Sequence, residues 1–217
     1  MQPFACLLCF ISKLIYKIKM KKCLVYIHGK GGSAQEAEHY KPLFESFEII
    51  GFEYQAQMPW EAKDEFAYFF AELTSKYEKI VIVANSIGAF FAMHSLENFK
   101  ISEAYFISPI VNMEHLIKNM MQWANLSETE LQQKGTIQTE FGETLDWEYL
   151  KWVRENPINW SVPTHILYGC HDNLQSMTDI ESFAFKIGAD ITVMKNGEHW
   201  FHTEEQMRFL DDWIKSK

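Results

Sequence analysis

Short apolar runs that alternate with helical patterns are the feature of this sequence that most constrains its fold. The runs at 23–27 and 80–84 are continuous, whereas a strand with one face in water would alternate apolar and polar residues. Six strands are predicted, at 23–27, 49–56, 80–84, 104–107, 165–168 and 191–194. Strands separated by helices predict an α/β protein in three layers, with a mainly parallel sheet covered by helices on both faces.

Length and charge narrow the classes of protein further. The chain has 217 residues, of which 47% are hydrophobic, so we expect one globular domain and exclude a disordered chain. Acidic residues outnumber basic ones by 29 to 20, which gives a formal net charge of −9. This balance argues against nucleic acid and against anionic membrane surfaces as general partners.

One segment, at about 112–160, interrupts the alternation of strands and helices. It contains a helical pattern near 117–124, a second helix start at Ser127 with Glu130 as its capping box, an extended stretch at 136–141 and a helical pattern at 146–155. Such a segment exceeds an ordinary crossover between two strands, so we interpret it as an inserted cap. Its Met and Trp residues suggest an apolar acyl or aromatic substrate group, although we expect at least half of them to pack the cap onto the sheet. These residues are Met113, Met120, Met121, Trp123, Trp147 and Trp152.

The first 22 residues do not fit the rest of the pattern. An apolar stretch at 4–11 precedes a run of lysines at 13–22, the reverse of the order in a secretory signal. The stretch is also too short to span a bilayer. We hypothesise that translation begins at Met20, that residues 1–19 are an upstream extension, and that 20–217 form one domain. A lysine-flanked membrane anchor is the alternative.

The four cysteines, Cys6, Cys9, Cys23 and Cys170, form no regular disulfide framework. The lone Cys6-x-x-Cys9 spacing has no second pair, and the histidines contain no His-Glu-x-x-His pattern, so no metal site is predicted. A reducing cytoplasm is the simplest location for such a chain.

The first loop with catalytic potential is Ala84-Asn85-Ser86-Ile87-Gly88, between a predicted strand and a predicted helix. A sharp strand-to-helix turn holds its middle residue in a strained conformation above the sheet edge, so Ser86 is a candidate nucleophile. The flanking residues Ala84 and Gly88 are small, as close passage of strand and helix requires. The Ile87 N–H, at the helix N-terminus, could stabilise an oxyanion. An ordinary loop in which Ser86 caps the helix is the alternative.

The second loop, at 28–32, reads His-Gly-Lys-Gly-Gly. Its glycines let the backbone approach a bound group, so an N–H here could complete an oxyanion hole. A phosphate-binding loop would need Gly-Lys-Ser/Thr at its end, and here Lys30 precedes the glycines. No Gly-x-Gly-x-x-Gly pattern occurs either, so no nucleotide cofactor is predicted.

The third element is a base with an orienting acid. Asp172 follows the strand at 165–168 and His199 follows the strand at 191–194, which places both at the edge where Ser86 lies. The order Ser, acid, His is that of α/β-type hydrolases. His202 is a weaker candidate for the base, and Glu198 is a weaker candidate for the acid.

These motifs resemble the α/β-hydrolase superfamily, over residues 23–217. HGKGGS at 28–33, ANSIG at 84–88, GCHD at 169–172 and NGEH at 196–199 are most similar to small bacterial carboxylesterase-like serine hydrolases. The resemblance implies Ser86 as nucleophile, His199 as base and Asp172 as acid. It places the oxyanion donors at the N–H groups of Ile87 and Lys30, with Gly31 as the alternative to Lys30. Two departures are Ala84 in place of the first motif glycine and the absence of the first two strands of the full eight-stranded fold.

The function expected from this resemblance is a serine hydrolase that cleaves a small ester or related acyl compound through an acyl-enzyme. Trp60 and Trp200, on loops near the same sheet edge, are predicted to bind the substrate. An amidase or thioesterase could use the same triad, and a protein of this fold could also bind a ligand without turnover. No stable membrane insertion is expected, and the sequence does not predict an oligomeric state.

Overall fold

A computed structural model describes residues 21–217 of the chain. The upstream extension at 1–19 and the Cys6/Cys9 pair lie outside the described residues, so the hypothesis of a start at Met20 stays a prediction.

A six-stranded parallel sheet forms the centre of the molecule, with strand order β2-β1-β3-β4-β7-β8. The prediction of a six-stranded α/β sheet is therefore confirmed. Its strands are β1 (Lys22–Ile27), β2 (Glu48–Phe52), β3 (Lys79–Asn85), β4 (Glu103–Ile107), β7 (Thr164–His171) and β8 (Asp190–Glu198).

Helices cover both faces of this sheet. They are a 3₁₀ helix (Ala34–Tyr40), α1 (Pro59–Lys76), α2 (Ile87–Ser95), α3 (Met113–Trp123), α4 (Glu128–Lys134), α5 (Trp147–Glu155), α6 (Met177–Ile187) and α7 (Glu204–Lys215). Side chains such as Ser127, Ser176 and Thr203 cap the helix starts by accepting a backbone N–H of the first turn.

Successive residues of β1 enter different cores, which explains why the strand is apolar throughout. Val25 and Ile27 pack with α1, α2 and α6 on one face. Leu24 and Tyr26 pack with the 3₁₀ helix and α7 on the other face. A strand buried on both faces needs no polar alternation.

The segment between β4 and β7 holds α3, α4, α5 and a two-stranded antiparallel hairpin of β5 (Thr136–Gln138) and β6 (Thr144–Asp146). Its leucines Leu131, Leu145 and Leu150 are fully buried in the core shared with α1 and α2. The extended stretch predicted at 136–141 is shorter than expected, because the chain turns at Gly142 with φ 86°.

The second strand also ends earlier than the predicted residue 56. β2 stops at Phe52. Two residues later, Tyr54 donates a hydrogen bond from its hydroxyl to the His28 carbonyl at 2.9 Å. Because all six strands of the main sheet are parallel, the loops after β1, β3, β7 and β8 leave from the same edge. These four loops build the candidate site.

Candidate active site

Ser86 occupies a sharp turn between β3 and α2. Its backbone has φ 51° and ψ −121°, a region that residues with a Cβ rarely adopt, so the surrounding structure must hold the strain. The Ser86 N–H donates to the Ile107 carbonyl at 3.0 Å, and the Ser86 carbonyl accepts from the Ile110 N–H at 3.2 Å. Hydrogen bonds to the neighbouring strand β4 and to the loop that follows it therefore hold the turn in place.

The serine, histidine and aspartate that the sequence singles out meet at the carboxyl edge of the sheet. The distance from Ser86 Oγ to His199 Nε2 is 2.8 Å. On the other side of the imidazole, His199 Nδ1 lies 2.8 Å from Asp172 Oδ2. The Asp172 side chain is fully buried, and that of His199 is 15% exposed.

The surroundings of Asp172 define which nitrogen of His199 carries the proton. The other carboxylate oxygen, Oδ1, accepts from the backbone N–H groups of Leu174 at 2.8 Å and Gln175 at 3.0 Å. A carboxylate only accepts hydrogen bonds, so His199 Nδ1 must be the donor to Oδ2. In the neutral imidazole with its proton on Nδ1, Nε2 is the acceptor and can take the Ser86 hydroxyl proton.

Two glycines bring the acid and base loops together. A Cβ built on Gly169 would lie 2.6 Å from the Glu198 carbonyl oxygen, and one built on Gly197 would lie 2.9 Å from the Gly169 Cα. Real Cβ atoms essentially never approach this closely. The backbones of β7 and β8 can therefore touch only because both positions lack side chains. Gly169 lies three residues before Asp172, and Gly197 lies two residues before His199.

The two candidate oxyanion donors flank Ser86. Ile87 is the first residue of α2, so its N–H has no acceptor within the helix. Within the described part of the chain, the Lys30 N–H donates to no backbone carbonyl. The Lys30 loop passes directly beside the serine, since a Cβ built on Gly29 would lie 3.2 Å from the Ser86 Cβ.

His28 shapes the start of this loop rather than acting in chemistry. It is 6% exposed, its ring stacks on Tyr54 at 4.3 Å between centroids, and its Nδ1 lies 2.8 Å from the Gly29 carbonyl oxygen. The side chain thus fixes the backbone one residue before Lys30.

A cleft of about 730 Å³ opens beside Ser86 and His199, between the 3₁₀ helix and α7. It is large enough for a small-molecule substrate. Most of its remaining wall is apolar or aromatic, formed by Tyr26, Tyr40, Ile107, Leu174, Trp200, Phe201, Met207 and Leu210. Besides Ser86 and His199, the polar side chains at the cleft are those of Lys30, Glu36, His39, Asn85 and His202.

Comparison with solved structures identifies the architecture. Alpha/beta hydrolase domain-containing protein 10 from mouse has a TM-score of 0.67 and 18% identity, over 89% of this chain and 88% of that one. Est1E from Butyrivibrio proteoclasticus has a TM-score of 0.68 and 11% identity, over 90% and 86%. The Pyrococcus furiosus esterase Pf2001 has a TM-score of 0.58 and 18% identity, over 91% and 80%. The chain has the α/β-hydrolase fold.

Comparisons of the sequence alone find no such likeness. No protein-family model matches it, and no curated protein is similar in sequence. The likeness to other proteins with the α/β-hydrolase fold is therefore one of architecture.

Of the two tryptophans predicted to bind substrate, only one lies at the cleft. Trp200 is 70% exposed, lines the cleft and stacks on His202 at 4.2 Å between ring centroids. Trp60 does not line the cleft. Its ring packs edge to face on Tyr149 and Trp152, at 6.1 and 6.4 Å, because α1 begins beside the inserted helix α5. The geometry assigns Trp60 to packing of the inserted segment.

Residues of the inserted segment also stay away from the cleft wall. None of the residues at 112–160 lines the cleft beside Ser86. Glu143, at the hairpin turn, forms an ion pair with the side chain of Lys30, which lines the cleft. Most aromatic and Met side chains of this segment belong to the core shared with α1 and α2, whereas Trp123 and Phe141 are exposed and pack edge to face on each other.

A glutamine that the sequence analysis missed anchors the acid loop. Gln175 is 2% exposed, and its Oε1 accepts from the N–H groups of Val111 at 2.9 Å and Asn112 at 2.8 Å. Tyr168 donates to the Gln175 carbonyl at 2.9 Å. Burial, followed by the nearby Asp172 charge, raises the pKa of Tyr168 to about 12, so its hydroxyl stays protonated as a donor. Burial of this side chain appears only in three dimensions, so the sequence carried no signal for its role.

The competing residues lie outside the hydrogen-bonded chain. His202 contacts the Trp200 carbonyl through Nδ1 at 2.8 Å and is stacked at the rim. His171 is exposed on the last residue of β7. The Glu198 carboxylate contacts other groups: its Oε2 accepts from Gln206 Nε2 at 3.5 Å and lies 3.8 Å from His202 Nδ1.

Among residues 21–217, no cluster of three His, Cys, Asp or Glu side chains could hold a metal ion. No helix within the same range has the length and apolar character needed to cross a membrane.

Proposed function

We propose that this protein is a serine hydrolase that cleaves a small carboxylic ester through an acyl-enzyme. One observation carries the proposal: Ser86, His199 and Asp172 form an unbroken hydrogen-bonded chain, 2.8 Å at each step, with Ser86 at a strained φ of 51°. A serine in a strained turn, hydrogen-bonded to a histidine base that a buried acid orients, is an activated nucleophile.

The chemistry follows from the protonation states. His199 Nε2 takes the hydroxyl proton as Ser86 Oγ attacks the ester carbonyl, and Asp172 stabilises the imidazolium that results. The proton then passes to the leaving alkoxide as the carbon–oxygen bond breaks, leaving an acyl-Ser86 ester. Water repeats the sequence: His199 takes its proton, the acyl group leaves as a carboxylic acid, and Ser86 regains its hydrogen.

The N–H groups of Ile87 and Lys30 serve as the oxyanion hole in this proposal. Both are unpaired with other backbone groups of residues 21–217 and flank Ser86. Preorganised donors of this kind lower the barrier by about 3 kcal/mol each. The α2 N-terminus adds a favourable dipole at the same place.

The cleft wall supports an apolar or aromatic acyl group as the preferred substrate. Tyr26, Tyr40, Phe201 and Leu210 form its inner side, and Trp200 offers a flat ring at its rim. Est1E, which shares the fold, has been solved with ferulic acid bound, and Pf2001 is an esterase. These relatives favour beginning with esters, aryl esters included.

The free thiols of the described residues support the cytoplasmic location that was inferred from the cysteines. Cys23 is buried, Cys170 is exposed, and both are unpaired among the described residues. Free thiols support residence in a reducing compartment such as the cytoplasm.

A panel of p-nitrophenyl esters with acetyl, butyryl, octanoyl and cinnamoyl groups tests the activity, beside a matched thioester and anilide. We expect the esters to be the best substrates, with a burst of nitrophenol at high enzyme concentration. Ser86→Ala and His199→Gln should each reduce kcat by a factor of about 10⁴ or more.

The matched control is His202→Gln, which removes a histidine of the same loop without touching the hydrogen-bonded chain. It should keep kcat within about threefold of wild type, as expected for a residue outside the reacting groups. Turnover that survives in Ser86→Ala, or faster cleavage of the thioester or anilide than of every ester, would contradict the proposal.

A further inference from the structure

We propose that Tyr26, Glu36 and Asn85 form a positioning network that couples the two halves of the oxyanion hole. The inference rests on the proposed function, because it assigns a role in the same reaction. None of the three residues belongs to the triad, and the roles of all three follow from contacts around one buried hydroxyl.

The hydroxyl of Tyr26 is the centre of the network. It accepts a hydrogen bond from Asn85 Nδ2 at 2.8 Å and donates one to Glu36 Oε2. Asn85 is the last residue of β3 and directly precedes Ser86, so the first bond ends on the turn that carries the nucleophile and the Ile87 N–H.

The second bond ends on the loop that carries the Lys30 N–H. The other oxygen of Glu36, Oε1, accepts from the Ser33 N–H at 3.2 Å. The same oxygen lies against Gly32, where a built Cβ would be 2.8 Å away. The Glu36 carboxylate therefore holds the end of the loop at 28–33, while Tyr26 joins it to the nucleophile turn.

The central hydroxyl is rigid and remains a donor. Tyr26 is 1% exposed and stacks on Tyr40 at 5.2 Å between centroids. Burial foremost, then the neighbouring Tyr40 and Glu36, raises the pKa of Tyr26 far above its ordinary value. Asn85 Oδ1 is buried with no partner among the described residues, so the Asn85 amide is held through its bond to Tyr26.

Both ends of the network carry backbone groups, and neither touches the reacting atoms. Loss of the Tyr26 hydroxyl should therefore displace the Ile87 and Lys30 N–H groups relative to each other. Displacements of this kind weaken binding of the oxyanion more than binding of the neutral ester, so kcat falls while KM stays nearly constant.

The decisive variant is Tyr26→Phe, which removes one oxygen atom and leaves the ring in place. We expect kcat for the best ester to fall by about 10-fold to 100-fold, with KM changed less than twofold. The affinity for a trifluoromethyl ketone with the same acyl group, whose adduct carries the oxyanion, should fall by the same factor as kcat/KM.

Tyr105→Phe is the matched control. Tyr105 is a buried tyrosine of the same core layer, and its hydroxyl donates to Glu103 at 3.4 Å, at the start of β4 and thus at the opposite edge of the sheet. It should change thermal stability without changing kcat or ketone affinity. Glu36→Gln changes an exposed residue and tests the same network if Tyr26→Phe folds poorly.

Non-additivity supplies an independent check. Because Tyr26 and Glu36 act through one hydrogen bond, the double variant Tyr26→Phe/Glu36→Gln should lose no more activity than the worse single variant. Independent, multiplying losses would overturn the coupling. Equal kcat in folded wild type, Tyr26→Phe and Glu36→Gln would overturn the inference while leaving the proposed function intact. Absence of hydrolysis by wild type would instead overturn the proposed function, and this inference with it.

Discussion

Gly88 is the position where one added methyl group should damage the site most clearly. A Cβ built there collides with the His28 carbonyl oxygen, and lies 3.0 Å from the Ile27 carbonyl oxygen and 3.1 Å from the His28 carbonyl carbon. All three are backbone atoms of β1 and the turn after it. No side-chain rotation can relieve the contact, so Gly88→Ala must push α2 away from the end of β1.

The size of the effect follows from that geometry. Overpacking that forces a backbone shift costs about 1 to 3 kcal/mol of unfolding free energy. The same shift separates the Ile87 N–H, on α2, from the Lys30 N–H, on the loop after β1. A misplacement of about 1 Å in a catalytic arrangement reduces the rate by about 100-fold. We therefore expect Gly88→Ala to lower kcat by about 100-fold while KM changes little.

Urea denaturation and ester hydrolysis by the same preparation check both numbers. Gly188→Ala is the control, because Gly188 ends α6 at φ 70° with no atom within 4 Å of a built Cβ. It should cost about 1 kcal/mol of stability from the positive φ alone and leave kcat unchanged. A Gly88→Ala protein with wild-type stability and activity would refute the close approach of α2 to β1.

Three further predictions concern stability and substrate binding. Burial foremost, then the Lys63 charge, lowers the pKa of His94 from 6.5 to about 4. Between these pH values the unfolded chain binds a proton that the folded chain does not. The free energy of unfolding should therefore fall by about 2 to 3 kcal/mol as the pH drops from 7 to 4. Urea titrations at both pH values should show this loss reduced in His94→Gln, and an unchanged loss would contradict it. Gly169→Ala should lower both stability, by about 1 to 3 kcal/mol, and kcat, since β8 must move away from Asp172; a loss of stability alone in paired urea and kinetic assays would argue against this. Trp200→Ala should lower kcat/KM for the cinnamoyl ester by about threefold to tenfold, whereas Trp60→Ala should lower only the melting temperature. A loss of kcat/KM in Trp60→Ala and not in Trp200→Ala would instead indicate that Trp60 binds the substrate.

Much of the fold was predictable because its strands are buried on both faces. Val25 and Leu24 belong to opposite cores, yet both are apolar, and this continuity identified β1 as a central strand. Parallel strands with helical connections then place every strand end at one edge. The convergence of Ser86, Asp172 and His199 follows from that topology, although their roles in catalysis remain a proposal.

The parts that were not predictable depend on contacts between distant segments. The periodicity around Trp60 shows that α1 is amphipathic, but it cannot show that the helix start meets Trp152 of the inserted segment. Tyr26 belongs to an apolar strand pattern, and the hydrogen-bond partners of its hydroxyl lie 10 and 59 residues away. Neither local propensity nor spacing carries that information.

Short elements were missed for a different reason. β6 has three residues, Thr144–Asp146, too few to show an alternation. The turn at Gly142 reverses the chain within a stretch that otherwise has extended character. The sequence thus indicated an extended segment, and the pairing with β5 appeared only in three dimensions.

The central claim is that Ser86 is an activated nucleophile, and active-site labelling tests it most directly. The protein would be treated with a fluorophosphonate, and the modified residue mapped by mass spectrometry in wild type, Ser86→Ala, His199→Gln and His202→Gln. We expect stoichiometric labelling at Ser86 in wild type and His202→Gln, much slower labelling in His199→Gln and none in Ser86→Ala. Folded wild-type protein that stays unlabelled, or that is labelled at a residue other than Ser86, would contradict the account.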